Sequence, residues 1–238
     1  MTNSGGTDGK YLDMVRLLIR TQGWRELLGA ELFADALKHV PTPRWKKVIA
    51  SHVSEELEHY ELCDGLYRAL GGNLWLDVQP RLRAEPWPRI ESWEELVVFQ
   101  VLNDRAAKFQ LQEYCESSYE PYAKIIARIV EDEEGHTGFG ESFLGELCAA
   151  RGERREQAQR HFDKWFPLCL KVFGRPGTPG NRYAVETGLK RRDSGAVMRD
   201  YVEDLKPLMA ACGLRFPSPE QLGVEIPVDI HLTLAGAS

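Results

Sequence analysis

Two Glu-x-x-His pairs, Glu56/His59 and Glu133/His136, constrain this chain more than any other feature of it. Each lies where apolar residues recur at helical spacing, so its two members share one helix face. Those faces are apolar as well: Ile49, Val53 and Tyr60 flank the first pair, and Ile126, Ile129 and Val130 flank the second. A carboxylate turned into such a face without a partner costs several kcal/mol, which a metal ion can offset. With 24 glutamates and 6 histidines in 238 residues, chance supplies roughly 0.6 such pairs. One pair alone would read as a solvated acidic face. Two pairs, each Glu preceded by an acid (Glu55, Asp132) and each in the second helix of a predicted hairpin, read as a repeated ligand unit.

The hairpins follow from periodicity and punctuation. A long amphipathic helix is predicted from Tyr11 to Val40 on the spacing of Val15, Ile19, Phe33 and Leu37. "PTP" at 41–43 breaks it, with Thr42 as N-cap and Pro43 opening a second helix that ends at Gly71-Gly72. The proline-rich stretch 73–92 reads as a crossover. Ser92 and Glu95 form a capping box for a third helix to about Cys115, and Pro121 opens a fourth that reaches Ala150. Two antiparallel helical hairpins joined by a long link is the topology of a ferritin-like four-helix bundle, an all-α fold. The predicted organisation is a disordered N-terminus over 1–10 and a helical domain over 11–215. That domain has a four-helix core at about 11–150 and extra helices at about 153–213, and an extended tail follows over 216–238.

Two cations held in a bundle core by carboxylates and imidazoles form a di-iron or di-manganese arrangement, which needs one further carboxylate from each of the other two helices. Residues equidistant from a hairpin turn lie at the same height. Asp104 and Glu133 are equidistant from the turn near Ser118, whereas Glu113 is offset by roughly 13 Å at the helical rise. Asp104 also stacks with Val97, Val101, Ala107 and Leu111, while Glu113 lies among polar residues and is expected to face solvent. In the first hairpin Glu26 precedes Glu56 by nearly the interval that separates Asp104 from Glu133. Its stripe, Val15, Ile19, Gln22, Ala30 and Phe33, suits a core face, whereas Glu31 shares a polar stripe with Arg20, Asp35 and Lys38. The expected ligand set is Glu26, Glu56, His59, Asp104, Glu133 and His136.

Composition narrows the function classes. A net charge of −6 argues against nucleic acid or an anionic membrane surface as partner. No apolar run approaches membrane-spanning length. The polar first residues are unlike a signal peptide. Five cysteines without CxxC spacing read as reduced thiols of a cytoplasmic protein. Neither a flavin or nicotinamide fingerprint nor a haem or iron–sulfur ligand set is present, so electrons for an oxidation would come from a separate reductase.

The segments "RELLG" around Glu26, "SEELEH", Asp104, "CESSYEPYA", "EDEEGH", "KWFPLCLKVFG" and "LKPLMAACGL" resemble the phenylacetic acid catabolism family, the catalytic A-type subunits of phenylacetyl-CoA epoxidases. The resemblance runs from about Tyr11 to Pro219, and the family's six metal-binding positions fall on the six residues above. It implies a non-haem di-iron oxygenase that uses O₂ to hydroxylate or epoxidise a small organic substrate such as a CoA thioester. It also implies two Fe ions (Mn being the alternative) and either self-association or a sister structural subunit. The rival reading is a ferritin-like iron-binding or structural subunit without turnover of its own. The chain departs from the family in being shorter at both ends and in carrying Arg105 and Lys108 beside Asp104.

Further residues have two readings each. His52, one turn before Glu56, is either a partner of the metal ligands or an ordinary helix histidine. Glu55 and Asp132 either orient the ligand imidazoles or are exposed charges. Lys108 either lines the substrate pocket or extends to the surface. "LKRRD" at 189–193 either meets substrate phosphates or is a solvated cluster.

Overall fold

The computed structural model describes residues 4–84, 87–149 and 152–234, with the side chains of 4–8, 133–139 and 219 outside that description. The chain order is α1 (Ser4–Ala36), α2 (Pro43–Ala69), α3 (Leu74–Ala84), α4 (Trp93–Gln112), α5 (Glu120–Ala149), α6 (Glu153–Leu170), α7 (Pro179–Glu186), α8 (Ser194–Cys212) and α9 (Pro219–Leu222), with short 3₁₀ turns after α1 and α6. α1 packs along α2 and α4 along α5, and α2 meets α5 across the middle. These are the two antiparallel hairpins of a ferritin-like bundle, and there is no strand among the described residues.

The predicted punctuation holds where local chemistry decides it. The Thr42 hydroxyl accepts from the Trp45 N–H at 3.3 Å, and Pro43 occupies the first turn of α2, where its missing N–H costs nothing. α2 ends through Gly71, whose φ of 79° suits a residue without Cβ. Gly72 then lies so close to the Tyr67 ring that a Cβ there would overlap it.

Four expectations change. α1 begins at Ser4, so the segment expected to be disordered is helical from that residue on; extending an existing helix gains one hydrogen bond per residue without a new nucleus. The crossover contains α3, whose Leu74 and Val78 are buried, with α1 as the neighbouring element. The tail carries the short α9, entered through Ser218, whose N–H donates to the Gln221 amide oxygen at 2.9 Å, and Leu222 and Ile230 pin it to the core. The capping box at α4 is half formed. Ser92 accepts from the Glu95 N–H at 3.0 Å, but the Glu95 carboxylate accepts instead from the Glu91 N–H at 2.9 Å and the Trp165 indole N–H at 2.8 Å, and it pairs with Lys164.

That diversion follows from a second layer. α6 and α8 pack on the outer side of α4, so residues 95–102 of α4 are buried all round, the signature of a helix inside a core rather than on its surface. Arg105 bonds Glu141 of α5 and Asp204 of α8, tying the second layer down.

Candidate metal centre and cavity

The core stripe of α1 is buried as predicted: Val15, Ile19, Gln22, Glu26, Ala30 and Phe33. The facing stripe of α2 runs Ile49, His52, Glu56, His59, Cys63 and Tyr67, also buried. Both stripes follow the three- and four-residue helical spacing, so each helix carries its polar groups inward among apolar ones.

Glu26, Glu56 and His59 converge, each offering a ligand atom within 4.8 Å of the others. His59 Nδ1 lies 3.4 Å from Glu26 Oε2. On the other side of the ring, Nε2 lies 3.1 Å from Asp132 Oδ2 of α5. An imidazole that faces an acid cluster with one nitrogen and a carboxylate with the other is held in the orientation a metal-binding histidine needs. The approach of α1 and α2 depends on Gly29, where a Cβ would stand 2.8 Å from the Glu56 carboxyl carbon. Two carboxylates and an imidazole, hard oxygen and nitrogen donors in a space kept open by glycine, fit iron or manganese.

The other expected ligands stand as follows. Asp104 is 2% exposed on α4, near enough to Cys169 of α6 that, after burial itself, its charge pushes the thiol up. It is not one of the three converging residues among those described. Glu133 and His136 fall within α5, but their side chains lie outside the described residues. Glu31 is exposed, as expected.

Glu113 is the clear correction. It does not face solvent but is 1% exposed, and one carboxylate oxygen accepts from Arg191 at 3.0 Å and Arg192 at 2.7 Å. Burial pushes its carboxyl up, but the hydrogen bonds from Arg192 and Arg191 outweigh that and hold it below the ordinary range. In "LKRRD" the half-exposed Arg191 and Arg192 turn back to pair with Glu113. Lys190 is buried and donates to the Ser194 hydroxyl at 2.7 Å. His52 is a core histidine, with Nδ1 3.3 Å from the Gln100 amide nitrogen and its ring edge-on to Phe33 at 5.6 Å. Glu55 is half-buried.

A cavity of about 390 Å³ reaches the acid cluster. Its buried end holds Gln22, Glu26, Gly29 and Glu56, and Leu28, Leu32, Phe99, Ala107 and Leu111 form its walls. Its outer end, by exposure, lies at Arg81, Trp87, Pro88 and Lys171. Arg81 sits 3.7 Å over the Trp24 ring there. Lys108 does not line this cavity; α4 contributes Phe99, Asn103, Ala107, Gln110 and Leu111 instead. Gly29 and Gln22 were not singled out by sequence reasoning as parts of the site, although Gln22 stood in the predicted core stripe one turn from Glu26.

The family model described as "Phenylacetic acid catabolic protein" matches residues 36–225. The chain belongs to that family. It is similar to the A-type component of the 1,2-phenylacetyl-CoA epoxidase of Escherichia coli (strain K12), at 22% identity over 204 residues, covering 82% of this chain. The aligned part is 66% of that relative, so the chain spans just under two thirds of its length. Among the described residues, no helix is long and apolar enough to cross a membrane. All five cysteines are free thiols, four of them buried.

Proposed function

We propose that this protein is the oxygen-activating component of a di-iron oxygenase, with Glu26, Glu56, His59, Asp104, Glu133 and His136 as the metal ligands. The observation that carries this reading is the buried cluster of two carboxylates and an imidazole at the inner end of an apolar cavity. Iron bound there would supply reduction of O₂ and oxidation of a substrate carbon, chemistry that no side chain of this protein provides.

The chain's own residues have definite tasks. Asp132 accepts from His59 and fixes the ring, leaving Nδ1 for the metal. Glu26 and Glu56 neutralise cationic charge in a site where an unpaired carboxylate would be costly. Leu28, Leu32 and Phe99 exclude water from the path to the cluster. The substrate is a small organic molecule, and the relative's name points to an acyl-CoA thioester. The acyl end would enter the cavity while Arg81 and Lys171 at its mouth meet the anionic carrier. Electrons come from a separate reductase, and a sister subunit or a second copy completes the assembly in the cytoplasm.

The test is anaerobic loading with ferrous iron, removal of excess metal and elemental analysis. The expected result is about two ions per chain, followed by substrate-dependent O₂ consumption once a reductase is supplied. Zero or one ion in well-folded protein overturns the reading.

A further inference from the structure

Gln22 is 4% exposed, one turn before Glu26, and lines the inner end of the cavity. Its amide nitrogen donates to Glu26 Oε1 at 2.5 Å. An ionised carboxylate only accepts, so this bond decides which way the amide points. The amide oxygen is then fixed on the opposite side. It is buried and has no hydrogen-bond partner among the described residues. A fold that needed Gln22 only for packing could place a methionine or leucine there without burying an acceptor.

We propose that Gln22 is a specificity-determining residue, whose oxygen selects substrates that bring an O–H or N–H donor close to the carbon that reacts. The proposal rests on the reading of this cavity as the substrate site and deepens it. The nitrogen positions Glu26 and the oxygen reads the substrate, so one side chain couples the placement of a metal ligand to the presence of a suitable substrate. A purely hydrocarbon group at this end would leave the acceptor desolvated and unsatisfied, the situation in which polar sites discriminate most strongly.

The test uses two probes of the same skeleton, benzyl alcohol and ethylbenzene, titrated into the full chain and followed by ligand-observed NMR. The quantity read is the ratio of their affinities. In Gln22→Leu and in the longer Gln22→Met, which guards against a folding defect in the first, that ratio should shift away from benzyl alcohol by roughly five- to tenfold. The same ratio in wild type and both variants would overturn the proposal and leave the cavity's assignment standing. An Ala107→Trp chain, filled from the wall, should bind both probes more weakly. Neither probe binding the wild type, or both binding the filled chain undiminished, would take down the cavity as substrate site and the proposal with it.

Discussion

Glu113 and Glu26 are almost equally buried, at 1% and 3% exposure, and the chain treats them in opposite ways. Glu113 sits where the end of α4 meets the segment before α8 and is given two guanidinium groups. Glu26, in the middle of α1, is met by an amide, an imidazole and a second glutamate. In the first arrangement the charge is balanced by side chains, so it serves to lock the outer layer to the bundle. The second gathers acceptors around a common space, where the proposed cation would balance them. Burial of an acid does not distinguish structure from function; the identity of its partners does.

The largest effect should separate the two acids by metal content. Glu26→Ala or Asp104→Ala should drop iron from about two ions per chain to below one by elemental analysis, whereas Glu113→Ala and Glu31→Ala should load normally. The reverse pattern would erase the contrast. Iron should likewise raise the melting temperature of the wild-type chain as its concentration rises, by RT ln(1 + [L]/Kd), and should not do so for Glu26→Ala.

Glu113→Ala should instead cost stability, about 3 kcal/mol in urea titrations, less than for a fully enclosed pair because Arg191 and Arg192 are half-exposed. Its pH dependence sharpens the point. The Glu113 carboxyl lies below its ordinary value of 4.5 in the folded chain, so its contribution is complete above 4.5 and is lost as the pH falls through the folded value. Glu113→Gln should flatten that acid limb; an unchanged acid limb would mean that the arginine pairing adds nothing.

Next in size is Lys190, buried beside the same segment, where burial, against nearby Glu113 and Asp193, lowers its pKa from 10.5 to about 8. Between those values the unfolded chain binds more protons than the folded one, so stability rises with pH across that window, by on the order of 2 kcal/mol. Lys190→Met should abolish the rise in melting experiments between pH 8 and pH 10. The smallest expected effect is at Gly29→Ala, which crowds the Glu56 carboxylate without removing a ligand. It should weaken iron binding about tenfold, or about 1.4 kcal/mol, with the apo fold intact. Unaltered affinity would show that the glycine is not needed to make room.

What could be read from the sequence follows the range of the forces involved. Helix ends set by caps and prolines, such as Thr42-Pro43, were legible because the interaction spans three residues. Glu26, Glu56 and His59 were legible because helical spacing and hairpin geometry place them together in the first pair of helices. Glu113 was half legible: its height and rotation set it apart from Asp104. Its predicted exposure failed because periodicity within a four-helix core says nothing of a second layer. The signal was present in "LKRRD", a cationic run whose Arg191 lies 78 residues downstream of Glu113, but no local rule connects the two. The sequence left two readings of Lys108 open because its place one turn from Asp104 does not fix where a long side chain goes; it does not line the cavity. Arg105 was drawn toward α5 and α8 by Glu141 and Asp204, partners that only the tertiary fold supplies.

The two ends of the cavity come from different parts of the chain, with α4 forming much of the wall between them. The residues at its inner end, Gln22, Glu26, Gly29 and Glu56, come from α1 and α2, while Trp87, Pro88, Leu168, Lys171 and Val172 come from the crossover and the end of α6 with its 3₁₀ turn. On the proposed reading, the groups that would hold metal and the groups that would meet the carrier are therefore written in different stretches of the gene, and the second can drift while the first stays fixed. A library randomised at 87, 88, 168 and 171 should yield chains that take up iron as the parent does yet sort different molecules at the entrance. In such a scaffold the carrier that is accepted can change through the entrance alone, while the group that reaches Gln22 stays under its control.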